Sequence, residues 1–277
     1  MRMNLTRILF VVVCANLFAI SVSSVRASVV NIGASADATL LGGSDIGNSL
    51  AVPGIFVGKD PSNVKRGLIE FNVAAAVPAG ATITGVTLQL TVGQVAGSAG
   101  GSVTNFGPVQ TMSLYDETQV WGQPTNTVGA SSFGGHGHGA AAQTGDATWN
   151  TAFWSSTLWN VAPGGNWTAT SVDLADALVP GTTSYVASWS STALNAEVQN
   201  WLDNPAANNG LLVKDQDEVT GTTFRAFWGA QGAVNAGNAS WAPDLVVTYS
   251  VPEPVSFSLV AVVAPILLCR RQRRTQN

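Results

Sequence analysis

The chain has 277 residues, of which 46% are hydrophobic and only 10% are charged. About 220 residues lie between Ser28 and Ser250, enough for one large β sandwich or barrel with a sizeable core. That part carries five basic and fifteen acidic groups, a net charge of −10. Such a charge repels a phosphate backbone and argues against nucleic acid as a partner. The two cysteines, Cys14 and Cys269, flank this part, so no disulfide is expected inside the domain.

The first 27 residues have the features of a secretory signal peptide. Two arginines precede an apolar run over 8–20, and small-residue positions place cleavage between Ala27 and Ser28. The alternative is an uncleaved anchor helix, but this run is shorter than the roughly 20 residues that span a bilayer. We therefore predict that residues 1–27 direct export and are removed.

Residues 251–277 combine three parts in a fixed order. The motif Pro252-Glu253-Pro254 is stiff and extended, because proline fixes its own φ and biases the preceding residue away from helix. An apolar segment over 255–268 and a basic tail over 270–274 follow. The segment predicts an inserted helix that is short for a permanent span, with the tail held on the cytoplasmic side. An ordinary C-terminal transmembrane helix is the alternative.

This order resembles the PEP-CTERM sorting signal of exported bacterial proteins, although the resemblance covers only residues 252–274. It implies that Pro252, Glu253 and Pro254 are recognised by an exosortase, a membrane-embedded cysteine peptidase. The hydrophobic sorting helix would then be inserted only in the precursor. The exported domain is expected at the cell surface, at the outer membrane or in the extracellular matrix.

The middle of the chain shows the period of antiparallel strands. Apolar and polar residues alternate over 69–73, 86–92 and 245–249, as in half-buried strands, and 211–213 predicts a more fully buried strand. One amphipathic helix is predicted over Thr192–Asp203, where Leu194, Val198, Trp201 and Leu202 share a face.

These elements predict an all-β fold over residues 28–250, an antiparallel jelly-roll sandwich with one short helix. The helix is expected to plug or flank the sandwich. The Gly- and Ser-rich stretches 93–107 and 125–145 are expected to be mobile surface loops.

A series of short motifs resembles a DNRLRE-type domain over nearly the whole exported part. The motifs are Asp-Ala-Thr-Leu at 37–40, Lys-Arg-Gly-Leu-Ile-Glu-Phe-Asn at 65–72, Val-Pro-Ala-Gly-Ala-Thr-Ile at 77–83, Ala-Thr-Trp-Asn at 147–150, Val-Gln-Asn-Trp-Leu at 198–202, Asn-Gly-Leu-Leu-Val-Lys-Asp at 209–215 and Ala-Pro-Asp-Leu-Val-Val-Thr-Tyr at 242–249. The resemblance implies a secreted β jelly roll, similar to carbohydrate-binding modules that hold acidic polysaccharides such as alginate. Glu70 and Asp244 stand where Arg and Lys are commoner, which argues against an acidic glycan.

The nine tryptophans are candidates for stacking on sugar rings, because an exposed indole combines apolar area with a polar N–H. Most are expected in the core. The strand and helix patterns predict that Trp201 and Trp228 are buried, and Trp149 is expected with them. Trp154, Trp159 and Trp167 lie in an Asn-, Ser- and Gly-rich stretch and are predicted to be exposed, as candidate glycan-binding residues.

Two groups of side chains are candidate metal ligands. Asp215, Asp217 and Glu218 gather the hard oxygen atoms that Ca²⁺ prefers directly after a predicted strand, with a metal-free acidic loop as the alternative. His136 and His138 offer two imidazoles, but a Zn²⁺ or Cu²⁺ site needs three or four ligands and the sequence has no third histidine. No other cofactor is expected.

The residue pattern gives catalysis little support. Asp116 and Glu117 are adjacent, so on a strand they point to opposite faces, whereas acid–base chemistry needs two carboxylates that converge across a cleft. We predict a non-enzymatic, exported cell-surface or matrix protein with a structural or adhesive role. The alternatives are a carbohydrate-binding module for a polysaccharide and, with the least support, a polysaccharide lyase or hydrolase.

Overall fold

The computed structural model describes residues 26–95, 110–129, 132–133, 136–168, 173–175 and 186–252. Ala27–Ser250 form one compact unit. Most of the predicted signal peptide and nearly all of the predicted sorting signal lie outside the described residues. Among the helices that these ranges contain, none is long and apolar enough to cross a membrane.

Strands joined by turns make up most of the regular structure of the described residues. The strands are β1 Arg26–Leu41, β2 Asn48–Ser49, β3 Gly54–Lys59, β4 Val64–Phe71, β5 Thr82–Val95, β6 Met112–Asp116, β7 Ala140–Ala141, β8 Thr151–Phe153, β9 Thr157–Leu158, β10 Asp173–Ala175, β11 Val186–Trp189, β12 Leu211–Asp215, β13 Arg225–Trp228 and β14 Asp244–Val251. The α-helices are α1 Val73–Ala76, α2 Thr192–Asp203 and α3 Ala230–Asn235, and 3-10 turns occur at Gly43–Asp45, Pro205–Ala207 and Ala239–Trp241.

The main sheet is antiparallel and closes on itself. Its strand order is β1-β14-β5-β13-β3-β4-β12-β6-β10, with β11 paired to β5. β1 also pairs with β4, from Ala34 opposite Phe71 to Leu41 opposite Lys65, so the path from β1 through β14 to β4 returns to its start. Register shifts in β1 and where β13 meets β5 bend the sheet around its interior. The prediction of an all-β, antiparallel fold is confirmed.

Three of the predicted strands are confirmed in β5, β12 and β14, but the strand predicted over 69–73 ends two residues early. β4 stops at Phe71, and Val73 begins α1. The side-chain oxygen of Asn72 accepts a hydrogen bond from the backbone N–H of Ala75 at 3.2 Å. This N-cap turns the chain into a helix while Val73 stays buried.

The predicted helix over Thr192–Asp203 is confirmed as α2. The expectation of one short helix is wrong, because the domain also contains α1 and α3. The hydroxyl of Ser191 accepts a hydrogen bond from the backbone N–H of Leu194 at 3.0 Å and so caps the helix. The four side chains of its predicted apolar face are all buried. They join the main core, whose other large members include Ile55, Ile69, Phe71, Leu88, Leu90, Leu114, Trp189, Leu211, Val213, Phe227, Leu245 and Val247.

A second cluster, the outer core, covers the opposite face of the β1–β4–β12 part of the sheet. It contains Ala38, Leu40, Leu68, Trp121, Ala147, Ala152, Trp159 and Leu212. Because side chains alternate along a strand, Leu212 faces the outer core while Leu211 and Val213 face the main core. Burial on both faces explains why the first three residues of β12, Leu211 to Val213, are all apolar.

The expectation of a mobile surface loop over 125–145 is wrong for several of its described residues. Phe133 is 1% exposed, and its ring packs edge-on against Phe56 at a centroid distance of 5.6 Å. β7, which lies in this stretch, pairs with β2. Phe133 and β7 therefore pack against the domain, where Phe133 joins an apolar cluster with Leu41, Leu50 and Phe56.

Candidate functional site

Trp159 is not exposed, contrary to the prediction. Its side chain is 6% exposed within the outer core, and its indole N–H donates to the carbonyl of Thr148 at 2.9 Å. This ring covers the apolar outer face of the sheet. The polar residues next to Trp159 in the sequence give no indication of this burial. Trp159 therefore offers no face to a sugar.

Trp154 and Trp167 are both half-buried and have different neighbours. Trp154 lies beside Gly47, whereas Trp167 packs edge-on against Tyr115 at 6.3 Å between ring centroids. Stacking of a glycan on Trp154 stays a prediction. Trp167 already has a ring-stacking partner, Arg66.

The other predictions for tryptophans are only partly right. Trp201 is fully buried, as predicted. Trp149 and Trp228 are only half-buried. Trp228 packs edge-on against Phe133 at 4.6 Å and lies 5.3 Å from the ring of Trp241, so it belongs to an aromatic cluster at the margin of the domain.

Arg66 contacts two indole rings and forms the centre of a polar cluster. Its guanidinium carbon is 4.8 Å from the ring centroid of Trp149 and 4.6 Å from that of Trp167, within cation–π range. Its Nε and Nη2 donate to both carboxylate oxygens of Glu218 at 2.7 and 2.9 Å. Its Nη1 donates to the carbonyl of Gly164 at 2.8 Å. We call this arrangement the Arg66 stack.

The Arg66 stack is desolvated and fixes three segments to one another. The side chains of Arg66 and Glu218 are 10% and 17% exposed. Gly164 has a φ of +91°, and a Cβ there would lie 2.5 Å from Nη1 of Arg66, so glycine is needed for the close approach. The stack thereby holds the loops around Trp149, Gly164 and Glu218 on β4.

Each carboxylate of the acidic cluster at 215–218 accepts at least one hydrogen bond within the protein. Glu218 accepts from Arg66 and forms a second ion pair with Lys214 at 3.3 Å. Asp215 accepts from the backbone N–H of Asp217 at 3.0 Å, and burial raises its pKa. Asp217 in turn accepts from the hydroxyl and the backbone N–H of Thr220, which lower its pKa.

These contacts leave no assembled ligand set for calcium. In the part of the chain that the structure describes, no group of three His, Cys, Asp or Glu side chains is arranged to hold a metal ion. Calcium binding by Asp215, Asp217 and Glu218 stays a prediction.

His138 pairs with a carboxylate. Its Nδ1 lies 2.7 Å from Oδ2 of Asp45, and the side-chain amide of Asn63 donates to the same oxygen at 2.7 Å. The ring is 60% exposed. This pair links the loop after His136 to the 3-10 turn at Gly43–Asp45.

Asp116 and Glu117 face opposite sides of the sheet, as strand alternation predicts. Glu117 is fully buried and accepts hydrogen bonds from the backbone N–H groups of Gln119 and Asn166, each at 3.1 Å. Burial raises its pKa to about 8. Asp116 instead hydrogen-bonds to Glu197 of α2, and burial together with that second carboxyl raises its pKa to about 7. Both carboxyls connect elements of the fold.

Two adjoining clefts form a groove that the sequence patterns do not predict. They share Gln123 and Gln231 and have volumes of about 380 and 390 Å³. Segment 123–127 lies on one side and α3 on the other. We call it the amide groove, after the side chains of Gln123, Asn126, Gln231 and Asn235.

Asp37 organises the amide groove from within the protein. Its carboxylate is 3% exposed and accepts from the backbone N–H of Ala230, the first residue of α3, at 2.8 Å. Burial raises its pKa to about 6. The backbone N–H of Asp37 donates to Oε1 of Gln123 at 2.8 Å. One residue therefore orients both sides of the groove.

The predicted processing sites lie at the two ends of the described domain. Ala27 is exposed and Ser28 half-buried at the start of β1. Val251 ends β14 and Pro252 is exposed. Glu253 and Pro254 lie outside the described residues.

No protein-family model matches the chain. A comparison with curated proteins finds no significant match.

Proposed function

We propose that this protein is an exported, non-enzymatic cell-surface or extracellular-matrix protein with a structural or adhesive role. Its exported part is a DNRLRE-like jelly roll, and an exosortase-type membrane peptidase processes its C-terminal end. The observation that carries the proposal is the order of the Pro252-Glu253-Pro254 motif, the apolar segment over 255–268 and the basic tail over 270–274.

The limits of the folded unit support this proposal. The compact unit Ala27–Ser250 begins beside the signal-peptide cleavage site and ends just before the Pro-Glu-Pro motif. The last strand keeps Leu245 and Val247 fully buried, whereas Pro252 is exposed. Cleavage at both sites would therefore leave the main core intact.

The use of the acidic side chains favours a structural or adhesive role over catalysis. Glu117, Asp37 and Glu218 each accept hydrogen bonds that join separate segments of the chain. A catalytic pair would need carboxylates free to reach a substrate in a cleft. The jelly-roll assignment itself rests on the closed antiparallel strand path and on α2, which packs into the main core.

Replacing Pro252, Glu253 and Pro254 with alanine tests the role of the motif. The apolar segment and the basic tail remain, so the variant is expected to insert in the membrane. Without the motif we expect it to stay uncleaved, and membrane fractionation with immunoblotting should recover nearly all of it at the precursor mass.

A matched control replaces Ser256 and Ser258 with alanine, which changes the same region without touching the motif. This control should be processed like the wild type. Processing of the triple-alanine variant at the wild-type rate would contradict the proposed sorting signal.

A further inference from the structure

The amide groove is lined by polar side chains that carry no charge at their exposed atoms. Gln123, Thr125 and Asn126 border it on one side, and Gln231 and Asn235 on the other. Asp37, the sole ionisable residue bordering either of the two described clefts, is 3% exposed and bound to α3. No lysine or arginine lines either cleft.

Several amide atoms of the groove are free for a ligand. Oε1 of Gln123 accepts from Asp37, and Nε2 of Gln231 donates to Oδ1 of Asn235 at 2.8 Å. Nε2 of Gln123, Oε1 of Gln231 and Nδ2 of Asn235 have no partner among the described residues. The groove thus offers two free donor groups and one free acceptor group.

This set matches hydroxyl groups, which both donate and accept hydrogen bonds. A sugar hydroxyl can accept from the free amide N–H groups of Gln123 or Asn235 and can donate to the free oxygen of Gln231. Val234 borders the same groove and is 56% exposed, which provides an apolar contact for the C–H face of a sugar. Each cleft also lies in the size range of ligand sites.

The charge distribution decides which class of glycan fits. Residues 28–250 carry a net charge of −10, which repels uronate or sulfate groups. No cation in the groove would offset that repulsion. We propose that the amide groove binds a neutral polysaccharide, with Gln123, Gln231 and Asn235 as its hydrogen-bonding residues. This inference rests on the proposed adhesive role and names the ligand class.

Affinity electrophoresis with the exported protein, recovered from cells that express the full chain, tests this inference. The probes are the neutral polymers dextran, mannan and xyloglucan, with the acidic polymer alginate for comparison. The wild type is expected to be retarded by at least one neutral polymer. Replacing both Gln231 and Asn235 with alanine is expected to weaken that binding about tenfold, since two hydrogen bonds are lost.

Two further variants separate binding from folding. Asn235→Asp keeps the side-chain shape and the acceptor for Gln231 but removes the free donor, so it should bind about threefold more weakly, as expected for one lost hydrogen bond. Gln143→Ala removes an exposed amide outside the groove and should bind like the wild type. Melting temperatures of all variants provide the check on folding.

Three outcomes would overturn the inference: retardation by none of the neutral polymers, retardation by alginate alone, or undiminished binding by both groove variants. Mass spectrometry of the same preparation reports whether the C-terminal end has been processed. A failure of glycan binding is therefore distinguishable from a failure of the proposed sorting.

Discussion

Replacing Arg66 with alanine is expected to lower the free energy of unfolding by about 3–5 kcal/mol, because it leaves Glu218 as a largely buried carboxylate without its bidentate partner. The variant also loses the ring contacts to Trp149 and Trp167 at 4.8 and 4.6 Å. Lys214, 3.3 Å from Glu218, offsets only part of the loss. Urea denaturation followed by tryptophan fluorescence measures the change.

Arg66→Lys is the matched control for charge. Lysine keeps the positive charge but lacks the planar fork that pairs with Glu218 and stacks on the indoles. We expect a loss of about half that of the alanine variant. Adding Glu218→Gln to Arg66→Ala should recover stability, since the buried charge is then removed as well. A wild-type unfolding curve for Arg66→Ala would show that the Arg66 stack contributes nothing.

The domain is expected to be most stable near pH 4–5 and to lose at least about 3 kcal/mol of unfolding free energy by pH 8. Burial raises the pKa of Asp37 to about 6, of Asp116 to about 7 and of Glu117 to about 8. In the unfolded chain these groups titrate near pH 4. Between the unfolded and the folded pKa, the folded state binds more protons, so stability falls as the pH rises.

The opposite behaviour is expected of Asp60. Hydrogen bonds and the ion pair with Lys65, at 2.6 Å, lower its pKa below the usual value. Asp60 contributes to the free energy of unfolding at pH values above its pKa in the unfolded chain. This contribution is lost as the pH falls through the lowered pKa that Asp60 has in the folded protein. The two kinds of carboxyl together place the stability maximum on the acid side of neutrality.

Glu117→Gln isolates the contribution of one of these three carboxyls to the pH dependence of stability. Glutamine has the shape of the protonated acid and cannot ionise, so the variant should lose less stability between pH 5 and pH 8 than the wild type does. Urea titrations at several pH values provide the comparison. Equal pH dependence in variant and wild type would show that Glu117 does not govern the alkaline loss.

The local elements of the fold are readable from the sequence. Period-two alternation predicts β5 and β14, and the apolar face with Leu194 and Trp201 predicts α2 with its limits at Thr192 and Asp203. These patterns work because each element buries one face against the main core. The pattern fails at Asn72. Alternating hydrophobicity predicts that the strand continues to Val73, but the capping hydrogen bond of Asn72 begins a helix there and β4 ends at Phe71.

The outer core and the amide groove depend on contacts between distant segments and escape such patterns. Trp159 has polar neighbours in the sequence, yet it covers Leu68 and Leu212 across the outer core. Gln123 and α3 are both hydrogen-bonded to Asp37, which binds Ala230 at a distance of 193 positions along the chain. Neither relation has a local period, so sequence reasoning misplaces Trp159 and misses the groove.

Mass spectrometry of the two chain ends in the native protein, from cells and medium, tests the proposed export and processing directly. We expect a mature chain that begins at Ser28 and ends within 251–254, without the apolar segment and the basic tail. Peptides covering 256–270 in stoichiometric amount with the mature domain would contradict it and would show a permanent C-terminal anchor.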